Sequence, residues 1–172
     1  MMSSALDYAK YEQGIFELES IPFNLHGLIH GVIFSVNTTA EKRGINLYEI
    51  IADDVPARVC GDPEKLRQVF LNLLNNALKF TERGSITLTV ERCDNDNTFN
   101  LRFSVIDTGI GIAHQSQAQI FDPYSQEDST VARRYGGTGL GLAICKEIIE
   151  KQGGIIDFNS EKGVGSTFWF DL

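Results

Sequence analysis

The stretch Asp62-Pro63-Glu64-Lys65-Leu66-Arg67-Gln68-Val69-Phe70-Leu71-Asn72-Leu73-Leu74-Asn75-Asn76-Ala77-Leu78-Lys79-Phe80 decides how the rest of the chain is read. It opens as a helix should. Asp62 caps free amides, Pro63 suits the first turn, and Glu64 complements the dipole. The exit is Thr81-Glu82-Arg83-Gly84. Leu66, Val69, Leu73 and Ala77 fall on one face and form its core side. Asn72, Asn76 and Lys79 follow one another at helical intervals on a second stripe, about 100° around the axis at 3.6 residues per turn. Two carboxamides and an ammonium offer neutral oxygens to a hard cation and positive charge to a phosphate. A solvated helix face has the same composition, so the stripe alone does not choose. Phe80 sits between stripe and core, where a ring can flank a flat base as well as pack.

Outward from this helix the chain alternates in period. Residues 3–13 carry a helical pattern ended by Gly14, and residues 16–19 alternate as a short strand that Pro22 breaks. From Asn24, the apolar positions Leu25, Leu28, Ile29, Val32, Ile33 and Val36 share one helix face as far as Gly44. Residues 45–51 read as a strand. Ile86, Leu88 and Val90 alternate with threonines, and Phe99, Leu101, Phe103 and Val105 with polar residues, giving an antiparallel hairpin. Residues 140–152 are helical up to Gly153-Gly154, and residues 155–159 and 166–172 form a last strand pair. The sum is one mixed sheet backed by helices on one face, a two-layer α/β sandwich of the α+β kind.

Three glycine motifs punctuate that pattern. Asp107-Thr108-Gly109-Ile110-Gly111-Ile112 follows a strand. A carboxylate there can accept from an exocyclic amine, and the glycines let backbone approach a base; a capped tight turn is the equal alternative. Gly136-Gly137-Thr138-Gly139-Leu140-Gly141-Leu142 leads into a helix, where consecutive amides form a phosphate cradle. It is not a P-loop, since no Gly-Lys-Ser/Thr follows at the required offset, and no strand precedes it as a dinucleotide fold requires. Gly163-Val164-Gly165-Ser166-Thr167-Phe168 reads first as a glycine hairpin. The polar, aperiodic stretch 122–136 is long enough to be a lid.

Composition bounds the alternatives. Hydrophobic residues are 42% of the 172 and charged residues 22%, an ordinary globular balance that fits one domain. A net charge of −8 disfavours nucleic acid. Cys60, Cys93 and Cys145 are odd in number and lack Cys-x-x-Cys spacing, which argues against a disulfide framework or structural zinc. No apolar run is long enough for a bilayer and no signal peptide opens the chain, so the expected setting is cytoplasmic.

The ordered motifs Asn72-x-x-x-Asn76-Ala77-x-Lys79-Phe80, Asp107-x-Gly109-x-Gly111, Phe121-x-Pro123-Tyr124, Gly137-x-Gly139-x-Gly141 and Gly163-x-Gly165-Ser166-Thr167-Phe168 resemble the N, G1, F, G2 and G3 boxes of sensor histidine kinases. These belong with gyrase, Hsp90 and MutL among the GHKL ATPases of Bergerat-type fold. The resemblance implies ATP and Mg²⁺ as cofactors. Asn76 resembles the metal ligand, Asn72 its neighbour at the phosphates, Lys79 a phosphate contact and Phe80 an adenine-flanking ring. Asp107 would hold the adenine amine within the Gly109, Gly111 and Ile112 turn, with Thr167 holding a water beside it. Gly137, Thr138, Gly139, Leu140, Gly141 and Leu142 would wrap the phosphates. Tyr124 belongs to the F box. Gln126 stands where many relatives carry arginine or glutamine, and a γ-phosphate contact from it would be weaker than a charged one; Arg133 or Arg134 would compensate, with a solvated lid residue the equal alternative for either.

None of His26, His30 and His114 is followed by an acid as the family's phosphoacceptor is; their followers are Gly27, Gly31 and Gln115. Residues 5–14 resemble the tail of the acceptor hairpin's second helix. Residues 1–20 are therefore read as that tail and a linker strand, and residues 21–172 as the ATP-binding domain. The implied function is delivery of the γ-phosphate to a histidine on a separate dimerisation/phosphoacceptor hairpin, with a downstream receiver domain as an indirect partner; the wording also resembles hybrid kinases. A degenerate nucleotide-binding or docking module is the alternative. A self-contained ATPase would want an acid where the stripe carries carboxamides.

Overall fold

The computed structural model describes residues 17–93, 100–125 and 138–172. Strands β1 (Ile21–Asn24) and β3 (Arg58–Gly61) form a two-stranded antiparallel ribbon. Strands β2 (Ile45–Ile51), β4 (Gly84–Arg92), β5 (Leu101–Asp107), β7 (Gly165–Asp171) and β6 (Ile155–Glu161) form one sheet in that spatial order. Only β2 with β4 is parallel, so the sheet is mixed and mainly antiparallel, as the sequence pattern implies. Helices α1 (Leu25–Arg43), α2 (Pro63–Phe80) and α4 (Gly141–Lys151) pack on one face, and α3 (His114–Gln117) is a single turn after the Asp107 motif.

The local chemistry explains the elements. Asn24 caps α1 by accepting from the Gly27 amide at 3.0 Å, and Gly44 ends it in the left-handed region at φ 67°. Asp62 caps α2, accepting from Lys65 N at 2.9 Å, with Pro63 in the first turn. The buried face of α2 adds Phe70, Leu74 and Leu78 to the expected Leu66, Val69, Leu73 and Ala77. Phe70 is the hub of the core. It meets Phe103 edge-on at 5.5 Å and Phe170 at 5.7 Å, while Phe103 and Phe170, partners in the β5–β7 register, stack at 4.8 Å. Such geometry adds about 0.5–1.5 kcal/mol per aromatic pair beyond area burial.

One strand stands elsewhere than the sequence pattern puts it. Residues 17–20 form no strand, and Phe16 lies outside the described residues. The strand is Ile21–Asn24 and contains Pro22, paired with Cys60. Both strands of a two-stranded ribbon are edges, so a missing N–H need not cost a ladder bond. The amide of Glu19 is instead given to the Asp62 carboxylate at 3.1 Å, which holds the entering chain against the α2 cap. The helix expected over residues 3–13 lies outside the described residues. Among the described residues no helix is long and apolar enough to cross a membrane.

Candidate nucleotide site

The α2 stripe survives the fold. Asn72, Asn76 and Lys79 are half-buried, whereas Asn75, one position earlier than Asn76, is exposed. Asn72 Nδ2 donates to the carbonyl of Gly141 at 3.3 Å, which joins the stripe to the first residue of α4. A Cβ on Gly141 would meet Asn72 Cγ at 3.8 Å, an ordinary packing contact, so the start of α4 lies directly against the stripe. The N-cap residue of α4 is Leu140, which makes no side-chain cap bond. The opening amides of α4 thus present the positive end of a helix beside the Asn72 carboxamide, the environment that receives phosphate oxygens. The Lys79 ammonium sits 4.7 Å over the Phe80 ring centroid. Burial lowers its pKa, the signature of an ammonium short of solvent.

The opposite wall is built from the Asp107 motif. Ile110 N donates to Phe80 O at 3.1 Å, which ties the motif to the last turn of α2. The approach is close enough that a Cβ on Gly109 would lie 2.5 Å from Phe80 O. Asp107 is buried at the end of β5, and burial pushes its pKa up while the Gly109 and Ser166 amides pull it down. Gly109 N donates to Asp107 Oδ1 at 2.8 Å. Two amides leave part of a carboxylate's roughly four lone-pair sites for a ligand amine.

The Asp107 motif is also knitted to the β6–β7 hairpin. Gly163 N donates to Ile110 O at 2.7 Å, and Ile112 N donates to Ser160 Oγ at 2.8 Å. Gly111 has φ 63°, and a Cβ on it would fall 2.0 Å from Glu161 O. Tyr124 and Gly139 meet through backbone, with Tyr124 N donating to Gly139 O at 3.1 Å. Tyr124 itself takes φ 61° and its side chain is exposed. Helix α2 thus carries both links, to the start of α4 through Asn72 and to the Asp107 motif through Phe80.

Residues 61–172 match the family described as "Histidine kinase-, DNA gyrase B-, and HSP90-like ATPase". The chain belongs to this ATPase family. Among its relatives, the "Signal transduction histidine-protein kinase BarA" of Escherichia coli (strain K12) is 40% identical over 173 residues, covering 100% of this chain and 19% of that protein. A full-length ShkA structure in complex with AMPPNP is 34% identical at a TM-score of 0.86, covering 98% of this chain and 34% of that one. The catalytic domain of histidine kinase ThkA is 33% identical at a TM-score of 0.74, covering 90% and 95%. The chain spans about a fifth of the length of the curated relatives, 19% for BarA.

Within this ATPase frame the fold is the one expected. Asn72, Asn76, Lys79, Phe80, Asp107, Gly109, Gly111, Ile112, Gly139, Leu140, Gly141 and Leu142 lie on the α2 stripe, the Asp107 turn or the start of α4, with Thr138 just before it. Gln126, Arg133, Arg134 and Gly137, with most of the 122–136 stretch, lie outside the described residues. Thr167 is a correction. It pairs with the exposed Ile106, while Asp107 pairs with the buried Ser166. Strand alternation puts Thr167 on the sheet face away from Asp107, so Ser166 is the hydroxyl beside the carboxylate. The signal was present in the alternation of Ser166, Phe168 and Phe170 against Thr167, Trp169 and Asp171. Ser160 and Gln117 were missed altogether. Gln117 Nε2 donates to both Ile112 O and Ser160 O at 3.0 Å. Neither carries a sequence motif.

The histidines are otherwise engaged. His30 Nδ1 is 2.7 Å from Glu49 Oε2, and His26 Nε2 is 3.2 Å from Val55 O, both on α1. His114 begins α3.

Proposed function

We propose that residues 21–172 bind Mg-ATP and deliver its γ-phosphate to a histidine on a separate dimerisation/phosphoacceptor hairpin, with residues 1–20 as the tail of that hairpin and its linker. The observation that carries this reading is the bond from Asn72 to Gly141 at the start of α4. It sets the Asn72 carboxamide against the first residue of α4, while the bond from Ile110 to Phe80 ties the Asp107 motif to the end of the same α2 helix. On this reading Asp107 would receive the base edge, the amides opening α4 would receive phosphate oxygens, and Lys79 would offer positive charge.

Among the described residues no cluster of His, Cys, Asp or Glu could hold a metal by itself. The half-buried carboxamide of Asn76 suits magnesium presented with its nucleotide, since Mg²⁺ keeps several waters and takes one or two protein oxygens plus phosphates. Asn76 is the residue that would hold it. When bound, the ion would neutralise charge building on the β- and γ-oxygens. The protein's own task is positioning and charge placement, which accounts for most of phosphoryl transfer. The two carboxamides of the α2 stripe cannot act as general bases toward water, because they do not take protons in the physiological range. This favours transfer to a partner over hydrolysis.

The test uses labelled ATP with the chain alone, then with increasing amounts of a separately supplied acceptor hairpin. Acid-labile phosphate should form on the hairpin, slowly and in proportion to its concentration, because tethering no longer supplies effective concentration. Nucleotide binding without transfer to any hairpin would leave the degenerate module. Label on the isolated chain would place the acceptor within it.

A further inference from the structure

Ser160 is half-buried on β6 and pairs across the ladder with Ser166 of β7. Its hydroxyl oxygen has three neighbours. Ile112 N donates to it at 2.8 Å, the Gly165 carbonyl lies at 3.0 Å, and Ser166 Oγ lies at 2.9 Å. A hydroxyl has one hydrogen and two lone pairs. The Gly165 carbonyl is an acceptor only, so that contact takes the Ser160 hydrogen. The contact with Ser166 is then a hydrogen bond only if Ser166 is the donor. The reverse assignment would leave two bare oxygens facing each other at 3.0 Å. One arrangement satisfies all three contacts, and it fills Ser160 to capacity.

The consequence lies next door. Ser166 pairs in register with Asp107, and its amide is one of the two donors to that carboxylate. With its hydrogen spent on Ser160, the Ser166 hydroxyl presents lone pairs only. The edge formed by Asp107 and its register partner Ser166 then carries an acceptor from each side chain, the carboxylate and the hydroxyl oxygen. Such an edge is matched by an amine and mismatched by a carbonyl.

We infer that Ser160 is a specificity-setting residue of the nucleotide site, holding Ser166 as an obligate acceptor so that a 6-amino purine is selected over a 6-oxo purine. The inference rests on the adenine reading of Asp107 above. Ser160 touches no base and acts through Ser166, so it is a positioning residue.

The experiment is calorimetric titration of ADP and IDP, which differ in the 6-substituent of the purine and the N1 proton that accompanies it, into the wild-type chain, Ser160→Ala and Ser160→Thr. Ser160→Ala frees the Ser166 hydrogen, which can then turn toward a ligand oxygen. The Kd ratio of IDP to ADP should fall by about two- to tenfold, the range one hydrogen bond spans. Ser160→Thr keeps the hydroxyl and should keep the wild-type ratio. A purely structural brace would weaken both nucleotides equally and leave the ratio untouched, which would overturn the inference. A wild-type ratio of one would instead sink the adenine reading itself. If Ser160→Ala does not fold, Ser160→Cys puts a weakly accepting sulfur at the same place and is judged by the same ratio.

Discussion

Replacing Gly111 by alanine tests the close approach of the Asp107 motif to the β6–β7 hairpin. Gly111 sits at φ 63°, where a Cβ costs roughly 1–2 kcal/mol. That Cβ would also lie 2.0 Å from Glu161 O and 2.6 Å from its carbon. Ordinary contact needs about 3.5 Å, so backbone on one side must retreat by more than ~1 Å. Two bonds span the same gap: Ile112 N to Ser160 Oγ at 2.8 Å and Gly163 N to Ile110 O at 2.7 Å. A shift of that size takes both beyond hydrogen-bond range, at about 0.5–1.5 kcal/mol each. The expected loss is about 2–5 kcal/mol of stability. Gly163→Ala is the matched control, since it has φ 84° with no atom within 4 Å of its would-be Cβ, and should cost only about 1–2 kcal/mol of backbone strain. Urea denaturation of both variants without nucleotide measures the difference. If Gly111→Ala were as mild as Gly163→Ala, the contact between the two loops would be yielding, and the argument for a rigid base-facing wall would fail.

Three other outcomes follow from the same geometry. Asn76→Ala should weaken Mg-ATP-analogue binding far more than metal-free nucleotide binding, whereas Asn75→Ala on the exposed side should do neither. Calorimetry with and without Mg²⁺ reads this, and equal small effects would return the stripe to solvent. ADP should bind more tightly than GDP by about 1–3 kcal/mol, because a 6-carbonyl leaves the buried Asp107 unmatched; equal affinities would contradict it. Burial holds the Asp107 pKa above its ordinary 3.8, so the folded chain binds a proton that the unfolded chain has released. Its contribution to stability is therefore most favourable at low pH and declines as pH rises from about 3.8 through the raised folded value. Asp107→Asn should flatten that slope in denaturation curves across about pH 4 to 7 while losing nucleotide affinity. An unchanged slope would mean the carboxyl is not the group responsible.

What the sequence by itself determined is what short-range physics writes into it. The Asp62-Pro63 start, the Gly44 stop and the alternating strands from residue 45 onward each depend on residues a few positions apart, and these stand where those residues put them. The box residues of α2, β5 and α4 were legible for the same reason, since each motif lies within one element or turn. Tertiary structure alone decided what depends on register and long-range contact. A strand's face flips with a one-residue step, so Ser166 rather than Thr167 meets Asp107 once β7 is paired to β5. The first strand moved to Ile21–Asn24 because Arg58–Gly61, distant in sequence, became its partner. Ser160 and Gln117 carry no local pattern, and their role exists only because the β6–β7 hairpin folds back onto the Ile112 backbone.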